Sequence, residues 1–119
     1  MSFDWKDYVS LSEELGIREE ESCLRSSISR AYYGAWCIAR NKKGYKNYKS
    51  KDKENIHWVV INAYKNAKKK TLRKVGWNLD ELRTARNDAD YDEEKQVKKE
   101  LAERMLILAK GVLEKLESV

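Results

Sequence analysis

Apolar residues recur at helical spacing near the start of the chain. The first stripe consists of Phe3, Trp5, Tyr8, Ser12 and Leu15. Side chains three or four residues apart line one face of an α-helix, and a glycine favours its end. The pattern therefore predicts a first helix from about Asp4 to Leu15, ended by Gly16.

A second and longer stripe follows. It consists of Leu24, Ile28, Ala31, Tyr32, Ala35, Ile38 and Ala39. We predict a helix that starts near residues 18–21, where acidic side chains suit the positive end of the helix dipole, and that runs to about Asn41. Its small residues Ser27, Ala31, Gly34 and Ala35 would let another helix approach closely.

The second half of the chain contains three further helical patterns. Residues 42–52 are polar and basic and predict a loop, and a third helix is expected from about Lys53 to Lys70. A break is predicted at residues 75–77. Asn78 then resembles an N-cap, because Glu81 stands three residues later as in a capping box.

The fourth predicted helix is short, from about Leu79 to Asp90, and Asp92 is the next candidate cap. A fifth helix would run from there to the C-terminus. The chain has no prolines and five glycines in 119 residues, which leaves little material for sharp turns. The pattern predicts an all-α fold, a four- to five-helix up-and-down bundle that forms one domain over residues 1–119.

Several features bear on the cellular compartment. No stretch approaches the ~18 apolar residues that a membrane span needs, and the first residues do not resemble a signal peptide. Cys23 and Cys37 lie in apolar segments without metal-binding spacing, which is typical of buried thiols in a reducing compartment. We expect a cytoplasmic protein that has no contact with membranes.

Positive charge is concentrated in the middle of the chain. Residues 40–74 contain thirteen basic and two acidic side chains, whereas the whole chain has a net charge of only +5. The candidate nucleic-acid-binding residues of this segment are Lys42, Lys43, Lys46 and Lys49, with Tyr45 and Tyr48 between them. Such a segment attracts polyanions, and its tyrosines can stack on bases. The alternative is a solvated loop that only keeps the protein soluble.

Arg86 occupies an unusual position in the fourth predicted helix. The stripe runs from Leu79 and Leu82 to Arg86 and Ala89, so an arginine stands where packing favours leucine. A buried guanidinium is costly unless it is paired or lines a cleft or interface. A pair with Asp90, four residues later, or a side chain that reaches past the helix end would also explain it.

Two segments together resemble the HEPN domain family of small helical bundles. They are Ser-Arg-Ala-Tyr-Tyr-Gly-Ala-Trp at residues 29–36 and Arg-Thr-Ala-Arg-Asn-Asp-Ala-Asp-Tyr at residues 83–91. The resemblance implies a homodimer. It also implies a metal-independent endoribonuclease of a toxin or defence module, in which two copies of an arginine-to-histidine motif form one cleft.

By this resemblance Arg86 is the family arginine and Asn87 is the polar residue that follows it. Tyr91 stands where the motif histidine is expected. RNA cleavage by the 2′-hydroxyl requires proton transfer and stabilisation of charge on phosphorus. A histidine with a pKa near 6.5 can exchange protons at neutral pH, whereas a tyrosine with a pKa near 10 is a poor base there. Asp88 and Asp90 are further candidate catalytic residues, although helix-end roles would also explain them.

The remaining candidates surround this motif. Ser29, Arg30 and Arg83 are expected to contact nucleic acid, and Ser29 is expected to face Arg86. His57, the single histidine, is expected to be structural or exposed, and Tyr32 and Tyr33 to pack in the core. No phosphate-binding glycine loop or metal-ligand spacing occurs, so neither a cofactor nor a metal is expected.

Three functions remain open at this point. The first is an RNA-cleaving HEPN protein in which Tyr91 replaces the histidine. The second is a non-catalytic HEPN module that binds RNA, a nucleotide or a partner nucleotidyltransferase. The third is a structural dimer or adaptor.

Overall fold

The computed structural model describes residues 2–48 and 55–119, which contain five α-helices and no strand. The helices are α1 (Lys6–Gly16), α2 (Glu21–Lys42), α3 (Ile56–Lys65), α4 (Lys70–Tyr91) and α5 (Lys99–Glu117). The predicted all-α fold is confirmed.

Helix α2 lies at the centre of the bundle. It packs against α1, α4 and α5, whereas α3 packs mainly on α4. Eleven residues of α2 are buried, among them Ile28, Ala31, Tyr32, Ala35 and Ala39, which are fully inaccessible. A helix that is apolar or small on most of its surface suits a central position.

The contact between α1 and α2 depends on small residues. A Cβ atom on Gly34 would lie 2.8 Å from Val9 Cγ2 and 3.0 Å from the carbonyl oxygen of Trp5. Ser12 Oγ donates a hydrogen bond of 2.7 Å to the carbonyl of Ser27, and Ser27 Oγ donates one of 2.7 Å to the carbonyl of Ser12. Both serines are completely buried, so these bonds satisfy polar groups that have no access to water.

The predicted break at residues 75–77 is wrong. Helix α4 continues through this segment, and Asn78 lies inside the helix instead of capping it. The physical reason is close packing, because a Cβ atom on Gly76 would lie 2.5 Å from the backbone nitrogen of Lys65. The glycine therefore admits the end of α3, and the turn between α3 and α4 falls earlier, at residues 66–69.

The predicted start of α5 at Asp92 is also wrong. Asp92 is the C-cap of α4, and its carboxylate accepts a hydrogen bond of 3.1 Å from the backbone nitrogen of Glu94. Residues 92–98 form a connection, and α5 begins at Lys99. Short polar side chains favour such turns as well as helix starts, which explains the ambiguity of Asp92.

Arg25 of α2 secures the end of α4. Its Nη1 atom donates hydrogen bonds of 3.3 Å to the carbonyl of Asp88 and 3.0 Å to those of Ala89 and Asp92. Its Nη2 atom donates to the carbonyl of Lys95. The last carbonyls of a helix lack internal partners and attract cations, so Arg25 satisfies them with a favourable charge.

Helix α3 is shorter than predicted and ends at Lys65. Its N-cap is Asn55, whose side-chain oxygen accepts a hydrogen bond of 2.9 Å from the backbone nitrogen of His57. The expected start at Lys53 lies outside the described residues.

Of the two thiols, Cys37 is buried as expected and Cys23 is half-buried. In the described part of the chain, no helix is long and apolar enough to cross a membrane.

Replacement of Gly76 by alanine tests the close contact between α3 and α4. The added methyl group would overlap backbone atoms of Lys65, so we expect the free energy of unfolding to fall by about 1–3 kcal/mol. Gly111→Ala is the matched control, because its Cβ would meet only the end of Lys115 at 3.5 Å. Alanine should there stabilise α5 by up to about 1 kcal/mol. Equal effects of both substitutions in urea unfolding would contradict the packing argument.

Candidate functional site

Arg86 lies at the centre of a cluster of polar and aromatic side chains. Its Nε atom donates a hydrogen bond of 3.0 Å to Asp90 Oδ2, and Nη1 donates one of 2.9 Å to Asn87 Oδ1. Its Nη2 atom donates to the hydroxyl oxygens of Tyr33 at 2.5 Å and Tyr91 at 3.4 Å. These five residues are called the Arg86 cluster below.

The guanidinium of Arg86 is also surrounded by aromatic rings. Its Cζ atom lies 4.8 Å from the ring centroid of Tyr33, 5.4 Å from that of Tyr91 and 5.9 Å from that of Tyr32. The side chain is 11% exposed. Arg86 is therefore a nearly buried cation that is balanced by Asp90 and held by cation–π contacts. Of the alternatives for this position, the structure shows the helical ion pair with Asp90.

Helix α2 supplies further contacts to this cluster. Ser29, which is buried, donates a hydrogen bond of 3.3 Å from Oγ to Asp90 Oδ2, so it does face Arg86. Arg30 Nη2 lies 3.3 Å from the same hydroxyl oxygen, and its Cζ atom lies 5.4 Å from the ring centroid of Tyr33. The two sequence segments that carry the resemblance thus meet in space.

Asp88 does not belong to the cluster. Its carboxylate accepts a hydrogen bond of 2.8 Å from Lys95 Nζ, in an ion pair with the connection after α4. The bond raises the pKa of Lys95. Of the two candidate bases, only Asp90 contacts Arg86.

His57 lies next to the Arg86 cluster, although the two residues are far apart in sequence. Its Nδ1 atom is 2.6 Å from the hydroxyl oxygen of Tyr32, and its ring stacks on that of Trp36 at 4.4 Å. Its ring also meets the ring of Tyr33 edge-on at 5.8 Å. Burial raises the pKa of Tyr32, so this phenol stays protonated in the physiological range.

The protonation of His57 is set by the same surroundings. Burial, followed by the positive charges of Arg83 and Arg86, lowers its pKa to about 4. Near neutral pH the imidazole is therefore uncharged, and without the proton of the imidazolium form it cannot serve as a general acid.

Two buried side-chain nitrogen atoms of the described residues have no hydrogen-bond partner. They are Nε of Arg83 and Nε1 of Trp36. Arg83 forms no hydrogen bond or ion pair through its side chain to any described residue, and it lies one helical turn before Arg86. A partly buried guanidinium without an acceptor is costly, so this position favours an external anion.

The predicted basic loop lies at the other end of α2, about ten residues beyond Tyr33. Lys42 Nζ donates to the carbonyl of Val119 at 3.3 Å, and Lys43 lies over the ring of Tyr64 at 5.2 Å. The rings of Tyr45 and Tyr48 meet edge-on at 5.4 Å. Lys46 is exposed, and Lys49 lies outside the described residues. Among the described residues, Lys42, Lys43, Tyr45 and Lys46 form no hydrogen bond, ion pair or ring contact with the Arg86 cluster.

Sequence patterns missed three members of this region. Tyr33 packs against the core as expected, but its contact with Arg86 was not anticipated; His57 is structural, one of the two expected outcomes, but its place beside this cluster was not; Trp36 had no assigned role. The pairing of α2 with α4 brings Tyr33 to Arg86, and the position of α3 brings His57 to Trp36. A surplus of aromatic residues on α2, at positions 32, 33 and 36, was the one available signal.

Searches against family models, curated proteins and solved structures found no match to this chain. No group of three or more potential metal ligands occurs among the residues that the structure describes.

The protonation of His57 gives a direct test of the site. Because the chain has a single histidine, its ring resonances can be followed by NMR without ambiguity. We expect a midpoint at about pH 4, and a higher midpoint in Arg86→Gln, since that variant removes a nearby positive charge. The folded protein binds this proton less readily than the unfolded chain, so the contribution of His57 to stability should fall as the pH drops from 6.5 towards 4. A midpoint near 6.5 would contradict the described burial.

Proposed function

We propose that this protein is a HEPN-like domain that binds single-stranded RNA through arginines on α2 and α4 without cutting it. The observation that carries the proposal is Arg83, whose guanidinium has no acceptor in the described chain although its Nε atom is buried. Phosphate oxygens are suitable acceptors for the planar donors of arginine.

Arg86 has a different role in this proposal. Its charge is already balanced by Asp90, and its donors are engaged by Tyr33, Asn87 and Tyr91. We assign Arg86 to holding the site together and Arg83 to the ligand. The excess of positive charge over residues 40–74 would attract RNA over a longer range.

Binding is favoured over cleavage because His57 and Asp90 are poorly suited to the proton transfers that RNA cleavage requires. His57 has a pKa of about 4, and its Nδ1 atom is occupied by Tyr32. Asp90 is engaged by Arg86 and Ser29. Neither side chain is poised to take a proton from a 2′-hydroxyl and return one to a leaving oxygen at neutral pH.

A metal-independent endoribonuclease of a toxin or defence module is the second candidate. It is favoured by Tyr91, which stands at the position of the motif histidine, lies 3.4 Å from Arg86 Nη2 and is 75% exposed. In either case we propose a homodimer in which α2 and α4 of the two subunits face each other, located in the cytoplasm. A nucleotidyltransferase is the partner protein that the resemblance suggests.

RNA binding is tested with Arg83→Gln. The probe is a fluorescein-labelled 20-nucleotide single-stranded RNA, and anisotropy is measured over a range of KCl concentrations. We expect the variant to bind about tenfold more weakly, with a salt dependence reduced by about 0.7 in log–log slope, because one phosphate contact is lost. Arg18→Gln is the matched control, since Arg18 is exposed and its side chain has no hydrogen bond or ion pair with any residue that the structure describes. An equal loss of affinity in both variants would mean that only the net charge of the protein matters, and it would contradict a site at Arg83.

Cleavage is tested with Tyr91→Phe, which keeps the ring and removes the hydroxyl group. The same RNA is incubated with the parent protein and the variant, with and without EDTA. If the second candidate is correct, the parent protein cuts the RNA in EDTA and the variant is at least 100-fold slower, the usual size of a lost acid–base group. Cutting at an unchanged rate in Tyr91→Phe would remove this tyrosine from the reaction.

A further inference from the structure

A groove of about 320 Å³ runs along the surface between α1 and α2. Its walls are mainly aromatic and basic, with Trp5, Tyr8, Arg30, Tyr33, Trp36 and Arg40, and the buried thiol of Cys37 completes the lining. The volume is at the lower end of the range for small-molecule sites. Tyr33 belongs both to this groove and to the Arg86 cluster, so the two features are continuous.

The aromatic side chains at the N-terminal end of α1 are held in place by contacts between their rings. The centroids of Trp5 and Tyr8 are 5.3 Å apart, and Phe3 lies 5.0 Å from Trp5 and 5.2 Å from Tyr8, all in edge-on geometry. On the α2 side, Trp36 is stacked on His57 and is only 4% exposed, so it supports the groove from below while Trp5, Tyr8 and Tyr33 are its more accessible rings. Rings that are fixed before binding lose little conformational entropy when a flat ligand stacks on them.

Two arginines flank these rings. The Cζ atom of Arg30 lies 4.5 Å from the ring centroid of Tyr8, and that of Arg40 lies 5.8 Å from Trp5 and 5.4 Å from Trp36. Stacking uses the face of the guanidinium and leaves the donors at its edge available. Arg30 uses one of these donors on Ser29, and Arg40 uses Nε on Asn41.

Neither Arg30 nor Arg40 forms an ion pair with a described residue. In contrast, Arg25, Arg86 and Arg104 each lie within 3.1 Å of a carboxylate oxygen. The two groove arginines are therefore positive charges that are placed on aromatic faces and have no ion-pair partner in the described part of the chain. Their positions on α2 are ten residues apart, which corresponds to about 15 Å at the helical rise.

We propose that this groove holds one nucleotide of a single-stranded RNA. The base stacks on the rings between the arginines, and the phosphates on either side are bound by Arg30 and Arg40. Aromatic stacking combined with arginine contacts to the backbone is the usual chemistry of single-strand binding. The inference rests on the proposed RNA-binding function and specifies where a base, as distinct from a phosphate, is recognised.

The test uses two variants that remove different parts of the groove. Trp5→Leu removes a stacking surface but keeps an apolar side chain, and Arg40→Gln removes a charge but keeps a long polar side chain. The controls are Trp58→Leu, because Trp58 is 53% exposed and has no described ring partner, and Arg18→Gln. Circular dichroism and thermal melting verify that each variant is folded.

The probe is a fluorescein-labelled oligouridylate of twelve nucleotides. We expect Trp5→Leu and Arg40→Gln each to raise Kd at least fivefold, since loss of stacking on one base costs about 1–3 kcal/mol. The two controls should change Kd less than twofold. A second oligouridylate that contains one 4-thiouridine, irradiated in complex with the parent protein, should crosslink to peptides that contain Trp5, Tyr8 or Tyr33.

The possible outcomes separate this inference from the proposed function. If Arg83→Gln weakens binding while Trp5→Leu and Arg40→Gln do not, and the crosslink lies elsewhere, the groove assignment is overturned and RNA binding stands. If the parent protein does not bind the RNA at low salt, the proposed function is overturned, and the groove assignment with it. If the groove variants instead convert a dimer to a monomer in light scattering, with crosslinks elsewhere, the groove is a subunit interface and the nucleotide assignment is overturned.

Discussion

The close approach of α1 to α2 determines which side chains line the groove between these helices. At Gly34 the two helices are so near that a single methyl group would overlap with Val9 and with the backbone of Trp5. Ser12 and Ser27 join the helices by reciprocal hydrogen bonds to backbone carbonyls. This contact places the rings of Trp5 and Tyr8, at the N-terminal end of α1, beside those of α2, and without it the residues that line the groove would not form one surface.

The arginines of the chain fall into two groups that differ in their partners. Arg25 and Arg86 are bound to carboxylates and, in the case of Arg25, to the last carbonyls of α4. Arg30, Arg40 and Arg83 have no carboxylate partner among the described residues. Arg18 and Arg73 also lack a carboxylate partner there, but Arg18 is exposed and Arg73 donates to the backbone carbonyls of Ala67 and Lys68. The desolvation cost of a guanidinium without an anion is therefore largest where the side chain is partly buried, as it is for Arg30, Arg40 and Arg83.

Much of the architecture follows from periodicity, and the errors have one common cause. The apolar stripe of α2 and the leucine-like position of Arg86 are local patterns, so both were predictable. Gly76 and Asp92 were misassigned because the same residue types that end or start helices also allow close packing and turns. For Gly76, the contact with Lys65 decides between a helix end and close packing. That contact joins residues eleven positions apart, so a local pattern does not reveal it.

In the site, too, contacts between residues close in sequence were predictable, and contacts between distant helices were not. Asp90 and Asn87 lie near Arg86 in sequence, and a helical pair between Arg86 and Asp90 was an explicit alternative. His57 and the rings of α1 are brought in by helices whose packing no local pattern specifies. The residues that determine protonation and stacking were therefore the least predictable part of the site.

Tyr33 connects the groove to the Arg86 cluster. Its hydroxyl oxygen accepts a hydrogen bond from Arg86, and its ring contacts the guanidinium groups of both Arg30 and Arg86. A ligand that engages Arg30 therefore alters the surroundings of the ring that holds Arg86. Any coupling of this kind is reciprocal. If a ligand at Arg30 strengthens binding at Arg86, a ligand at Arg86 must strengthen binding at Arg30 by the same factor. His57 contacts Tyr32, Tyr33 and Trp36 and is neutral near pH 7, so it adds no positive charge to that of the arginines in this region.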